Sequence, residues 1–153
     1  MSESTVRVSG EAAEVARAEA QAVLAMVQDE TRRLRLADIV AAVDEGEIGG
    51  ADADGLAELL ELGLQTGRVR SVYGPEGEQA ALALYRRLPL GRELTQSTRD
   101  LTEALTALEG RTIEKVSVNV VGPGEYGVTI STEDYEIVLR LGRAGARLAT
   151  IGA

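Results

Sequence analysis

Apolar positions along the chain recur first at helical spacing and later at every second residue. Residues 1–10 are polar and expected to fray. From Glu11 to about Thr31 an Ala-rich run, unbroken by Gly or Pro, carries Val15, Ala18, Val23, Met26 and Val27 at helical spacing and predicts one long helix. A second helix is expected from Leu36 to about Asp44, with Leu36, Ile39, Val40 and Val43 on one face. It stops in Glu45-Gly46-Glu47-Ile48-Gly49-Gly50. Asp52 or Asp54 then caps a third helix with the stripe Leu56, Leu59, Leu60 and Leu64, which Gly67 ends.

Residues 68–90 admit two readings. Arg68-Val-Arg-Ser-Val-Tyr73 looks extended, and Gly74-Pro75-Glu76-Gly77 reads as a turn. The composition of Gln79–Leu88 favours helix, whereas its context favours the return strand of a hairpin, and the strand is preferred. Gly91–Leu108 is again helical: Leu94, Leu101 and Leu108 sit seven apart with Leu105 between them, an apolar seam stopped by Gly110. That seam is a candidate homodimer helix; the alternative is a helix lying on its own sheet.

Beyond Gly110 the period switches to two. Val116, Val118 and Val120 alternate with Ser117 and Asn119; Tyr126, Val128 and Ile130 follow Gly122-Pro123-Gly124; Tyr135, Ile137, Leu139 and Leu141 make a third run and Ala146–Ile151 a fourth. Turns at such short spacing predict an antiparallel meander, whose aliphatic face must be covered by the preceding helix or a second subunit. The expected class is therefore α+β: a flexible stretch 1–10, a helical domain 11–90, and a domain 91–153 made of a long helix and a four-stranded antiparallel β-meander. The boundary falls in 89–93.

At the level of fold, residues 11–94 resemble a winged helix-turn-helix. The helices at 36–44 and 54–66 match the helix-turn-helix pair, Arg68–Tyr73 and Gln79–Leu88 the wing strands. Tyr85-Arg86-Arg87-Leu88-Pro89-Leu90-Gly91-Arg92-Glu93-Leu94 looks like the tail of the wing that leads into a dimerisation helix in bacterial regulators of this class. The resemblance implies duplex DNA binding, supported by Arg32, Arg33, Arg35, Arg68, Arg70, Arg86 and Arg87. Against this, the groove-facing helix carries Asp52, Asp54, Glu58 and Glu61 where base readout needs Arg, Lys, Asn or Gln. These acids point instead to a protein partner.

Charge and composition strengthen that preference. The net charge is −9, which repels phosphate backbones at long range. Tyr73, Tyr85, Tyr126 and Tyr135 are the only aromatics, so stacking platforms for bases are nearly absent. There is no Cys and no His, which removes disulfides, thiolate and imidazole metal sites, and the usual nucleophile–base pairs. Asp52, Asp54 and Glu61 approach a calcium-loop register, but its first position would be Gly50. Gly122-Pro123-Gly124 lacks the Lys-Ser/Thr of a phosphate-binding loop. No cofactor is expected. The amino terminus has no basic and apolar signal-peptide regions, and no apolar run reaches membrane-spanning length. The expectation is a cytoplasmic, non-catalytic adaptor or regulator, homodimeric and acting on a protein partner. The alternatives are a DNA-binding regulator and a small-molecule-binding module with a pocket between helix 94–108 and the sheet.

Overall fold

A computed structural model describes residues 4–152. The chain divides into two compact units, with the division between Arg92 and Glu93.

The first unit is helical apart from one short β-bridge. Strand β1 (Val6–Arg7) pairs antiparallel with β2 (Glu47–Ile48), and the Val8 amide donates to the Gly46 carbonyl at 2.8 Å. Residues 4–10 therefore do not fray as expected: Val6 and Val8 are buried. Residues 1–3, which share that expectation, lie outside the described residues. The expected single helix over 11–31 is divided. Helix α1 spans Gly10–Met26 and α2 spans Glu30–Glu45, because Asp29 takes an extended conformation and its side chain accepts from the Arg32 amide at 2.8 Å. An Asx cap of this kind starts a new helix despite favourable propensity on both sides. Helix α2 closes at Gly46 in the left-handed conformation, φ 83°, which glycine adopts without a Cβ clash.

Helix α3 spans Gly50–Gln65, and α4 spans Arg68–Tyr85. The latter corrects the strand readings of 68–73 and 79–88: both segments are helical. Gly74-Pro75 forms a kink inside α4 rather than a hairpin turn, with Gly74 at φ 72° and ψ −176°. Pro75 starts the second segment, where its missing N–H leaves no bond unmade. The wing expected from the helix-turn-helix resemblance is thus not formed by these residues. The local alternation that suggested strands covers six residues, too few to separate period two from helical spacing. Packing decides it, since Val69, Ala81, Leu84 and Tyr85 are buried with Leu56 and Leu60 of α3 and Val15 and Ala16 of α1 in the core of this unit.

Helix α5 (Pro89–Leu105) begins in the first unit and ends in the second, followed by a 3-10 turn over Thr106–Leu108. The second unit then forms an antiparallel meander of β3 (Ile113–Gly122), β4 (Glu125–Thr132), β5 (Glu136–Gly142) and β6 (Gly145–Gly152), ordered as in the sequence. The register places Val118 opposite Val128, Val128 opposite Leu139, and Leu139 opposite Leu148. Paired residues share a face, so one side of the sheet is aliphatic from edge to edge and the other carries Ser117, Asn119, Thr129 and Arg140. The β4–β5 turn is held by Thr132, whose Oγ1 accepts from the Tyr135 amide at 3.0 Å. Arg111 secures it from the other side, donating to Asp134 Oδ2 at 2.8 Å with its guanidinium 4.3 Å from the Tyr135 ring centroid.

Candidate functional site

The aliphatic face of the sheet is only half covered. Leu101 of α5 packs with Ile137 and Leu139, joined by Leu105, Leu108, Val128, Ile130 and Ala146. Leu94 lies against the β5–β6 turn, so close to Gly145 that a Cβ there would come within 2.6 Å of its Cδ2. The four leucines read as a candidate dimer seam thus lie on the sheet of their own chain. The same helix leaves β3 bare: Val116, Val118 and Val120 are 57%, 65% and 72% exposed, and Tyr126 beside them is exposed too. Covering a contiguous row of aliphatic side chains releases water at a free-energy gain, which makes this row a candidate contact surface. The sequence showed the alternation of these residues but not how far one helix reaches across four strands.

A second surface lies in the first unit. Val23, Leu36, Ile39 and Leu59 floor an open cavity of about 250 Å³ between α1, α2 and α3. Arg32, Arg35 and Glu58 stand at its rim, and exposed Leu62 widens its apolar part. Arg32 and Arg35 are one helical turn apart on α2, so the structure brings together these two of the seven predicted contact arginines. The others go elsewhere. Arg33 donates to the Val27 carbonyl at 3.3 Å, Arg70 pairs with Glu78 at 3.0 Å, and Arg68 pairs with Glu19 at 3.2 Å. Arg86 and Arg87 follow the end of α4 and are exposed.

Glu19 is the functional-looking group that the sequence reading missed. Its side chain is buried on α1, receives Arg68 Nε on both oxygens at 3.2 Å, and accepts from the Tyr73 hydroxyl at 2.9 Å. Burial, then the hydrogen bond and the negative charge of Glu19, push the Tyr73 phenol up to about 12. The hydrogen bond and charge of Glu19 also raise Arg68 above its ordinary value. A signal existed: Glu19 falls four residues after Val15 and four before Val23, on the buried stripe of its helix. The network satisfies its members and joins α1 to α4, which is structural work. Burial likewise pushes up Tyr85, helped by the charge and hydrogen bond of Glu61.

Among the described residues no group of three His, Cys, Asp or Glu is placed to hold a metal ion. Asp52, Asp54 and Glu61 all lie within α3 rather than in a loop. The space between α5 and the sheet, expected as a possible pocket, is filled at its centre by Leu101, Ile137 and Leu139. Open spaces remain at its sides. One of about 460 Å³ lies between α5 and β6, lined by Glu93, Gln96, Ser97, Asp100, Arg147 and Leu148, and one of about 110 Å³ lies around Ser97, Glu125, Arg140 and Arg147. No helix of the described residues is long and apolar enough to cross a membrane. No protein-family model, curated protein or solved structure matches the chain.

Proposed function

We propose that this protein is a small, cytoplasmic, non-catalytic adaptor or regulator that works through protein–protein contact, with its second unit as the self-association module. The observation that carries the reading is the row Val116, Val118 and Val120, the most exposed aliphatic side chains of their sheet face. Helix α5 covers that face over its middle strands and leaves it open also at Leu148 and Ile151 of β6. Covering the outer flank of these three side chains contributes about 0.5–1 kcal/mol each on an area scale. Two copies double the sum, enough to offset a substantial part of the association entropy. In the first unit, the apolar groove rimmed by Arg32 and Arg35 suits an aliphatic segment of a partner that carries a carboxylate, since among the described residues no acid lies within salt-bridge distance of either guanidinium.

DNA binding is disfavoured on the same grounds. Arg68 and Arg70 are committed to Glu19 and Glu78, and the exposed acids Asp54 and Glu58 lie on the helix that would face the groove. Sedimentation of the full chain over a concentration series tests the proposal, with a gel-shift series on duplex DNA at low salt beside it. Concentration-dependent self-association without a shift supports it. A monomer at every concentration removes the dimer, and a salt-sensitive shift moves the assignment to a DNA-binding regulator.

A further inference from the structure

Strand β3 is a free edge of the sheet, and its aliphatic column is uncovered. We infer that β3 pairs antiparallel with β3 of a second copy, with Val118 on the two-fold axis, so that two four-stranded sheets become one of eight. The inference rests on the self-association proposed above and names its surface and register.

The choice of edge follows from regularity. Strand β3 has register shifts at its two ends, between Ile113 and Lys115 and between Val120 and Gly122. From Lys115 to Val120 its register with β4 is unbroken, so this middle stretch presents an even row of N–H and C=O groups, whereas the shift in β6 falls mid-strand. The opposite edge, β6, is interrupted by a register shift where Val138 and Leu139 meet Thr150 and Leu148. A bulge of that kind twists an edge away from further pairing.

The register follows from side-chain chemistry. In a continuous sheet, facing residues share a side, so Val116, Val118 and Val120 must meet residues of the same set. With Val118 opposite its own copy, Val116 faces Val120 and Ser117 faces Asn119. Each aliphatic row then runs without a gap: Val128, Val118, Val118 and Val128 in one, and Ile130, Val116, Val120 and Tyr126 in the next. A slip of two residues toward the start of β3 sets Val120 against Glu114, and a slip of two toward its end sets Val116 against Gly122. Charge agrees with the central register. Lys115, on the polar face, meets Val121 of the second copy, which stands beside Gly122, the residue paired with Glu125. Lys115 and Glu125 therefore lie two strand spacings, about 10 Å, apart between Cα atoms. Among the described residues Glu125 makes no ion pair, and the two long side chains span that distance.

The absence of native cysteine makes the register directly testable. Three full-length variants, Val118→Cys, Val116→Cys and Val120→Cys, are oxidised mildly, and the covalent dimer is followed over time. Val118→Cys is expected to cross-link to itself roughly ten-fold faster than either of the others, because their own copies lie four residues apart along the strand, about 13 Å, beyond disulfide reach. A mixture of Val116→Cys and Val120→Cys is expected to form the heterodimer. Equal rates for all three variants, or a faster Val116→Cys or Val120→Cys, overturn the register. If sedimentation shows a dimer while Val118→Cys stays uncross-linked, this interface is wrong and self-association stands; if sedimentation shows only monomer, both fall.

Discussion

Val118 and Val128 lie opposite each other on neighbouring strands and on the same side of the sheet, yet Val128 packs under helix α5 and Val118 is 65% exposed. One helix is about 10 Å across, and four strands at just under 5 Å each are wider than that. A single helix therefore leaves part of the face in water: the β3 side most of all, and on the β6 side Leu148 and Ile151.

Stability measurements should divide this face in two. Ile137→Ala removes a fully buried side chain and is expected to destabilise the second unit by about 2–5 kcal/mol at any protein concentration. Val118→Ala is expected to leave the dilute monomer within about 0.5 kcal/mol of the parent and to lower the melting temperature only at high concentration. Thermal scans at several concentrations check both. An equal, concentration-independent loss for Val118→Ala contradicts the account.

In the first unit, Glu19 holds Tyr73 and Arg68 together. Glu19→Ala leaves the half-buried Tyr73 hydroxyl without its acceptor and is expected to destabilise by about 2 kcal/mol, more than Tyr73→Phe at about 1 kcal/mol. Denaturant titration of both single variants and the double variant should show strong non-additivity, the signature of a shared bond.

Alkaline pH provides a separate check on the same contact. A phenol whose ionisation is pushed up in the folded chain binds its proton more tightly there than in the unfolded chain. The stability it contributes is complete below about pH 10 and is lost as pH rises toward about 12. Spectrophotometric titration should show a phenolate step near pH 12, which Tyr73→Phe removes. Complete ionisation by about pH 11 in the parent chain contradicts the assignment.

Two glycines should respond in opposite ways to alanine. At buried Gly91 a Cβ would stand 1.9 Å from the Tyr85 carbonyl oxygen and 2.8 Å from the Arg86 Cα, so backbone must move. Gly91→Ala is expected to destabilise by about 3 kcal/mol or more. At Gly55 the obstacle is Ile39 Cδ1 at 2.8 Å, the far end of a flexible side chain. Gly55→Ala is expected within about 1 kcal/mol of the parent, because the gain in helix propensity offsets the shift of Ile39. Melting temperatures of the two variants decide it.

Much of this architecture is readable from periodicity alone. The switch from Leu94–Leu108 at helical spacing to Val116–Val120 at period two gave the helix and meander of the second unit, since long or repeated patterns leave little ambiguity. Val69, Ser71 and Tyr73 misled because a six-residue run fits both periods, and only the pull of Glu19 on Arg68 and Tyr73 and the burial of Val69 decide for helix. The break at Asp29 was hidden because helix propensity is high on both sides of a single capping residue. Val6 and Val8 looked like part of a polar tail, because pairing with Glu47–Ile48 is a contact across forty residues that local sequence does not encode. The candidate surfaces were less legible. The leucine seam was visible, but which of two apolar faces it would meet depends on sheet width and helix placement, and the groove between α1, α2 and α3 exists only once those helices pack.

The central claim is that another polypeptide covers the β3 flank in solution. Backbone hydrogen exchange across Lys115–Val120, measured on the full chain and on Val118→Glu at the same concentration, tests it most directly. Outward-pointing amides of β3 are expected to exchange roughly 100-fold more slowly in the parent than in the variant, with β4 and β5 unchanged. Identical, rapid exchange along that edge in both proteins would contradict it.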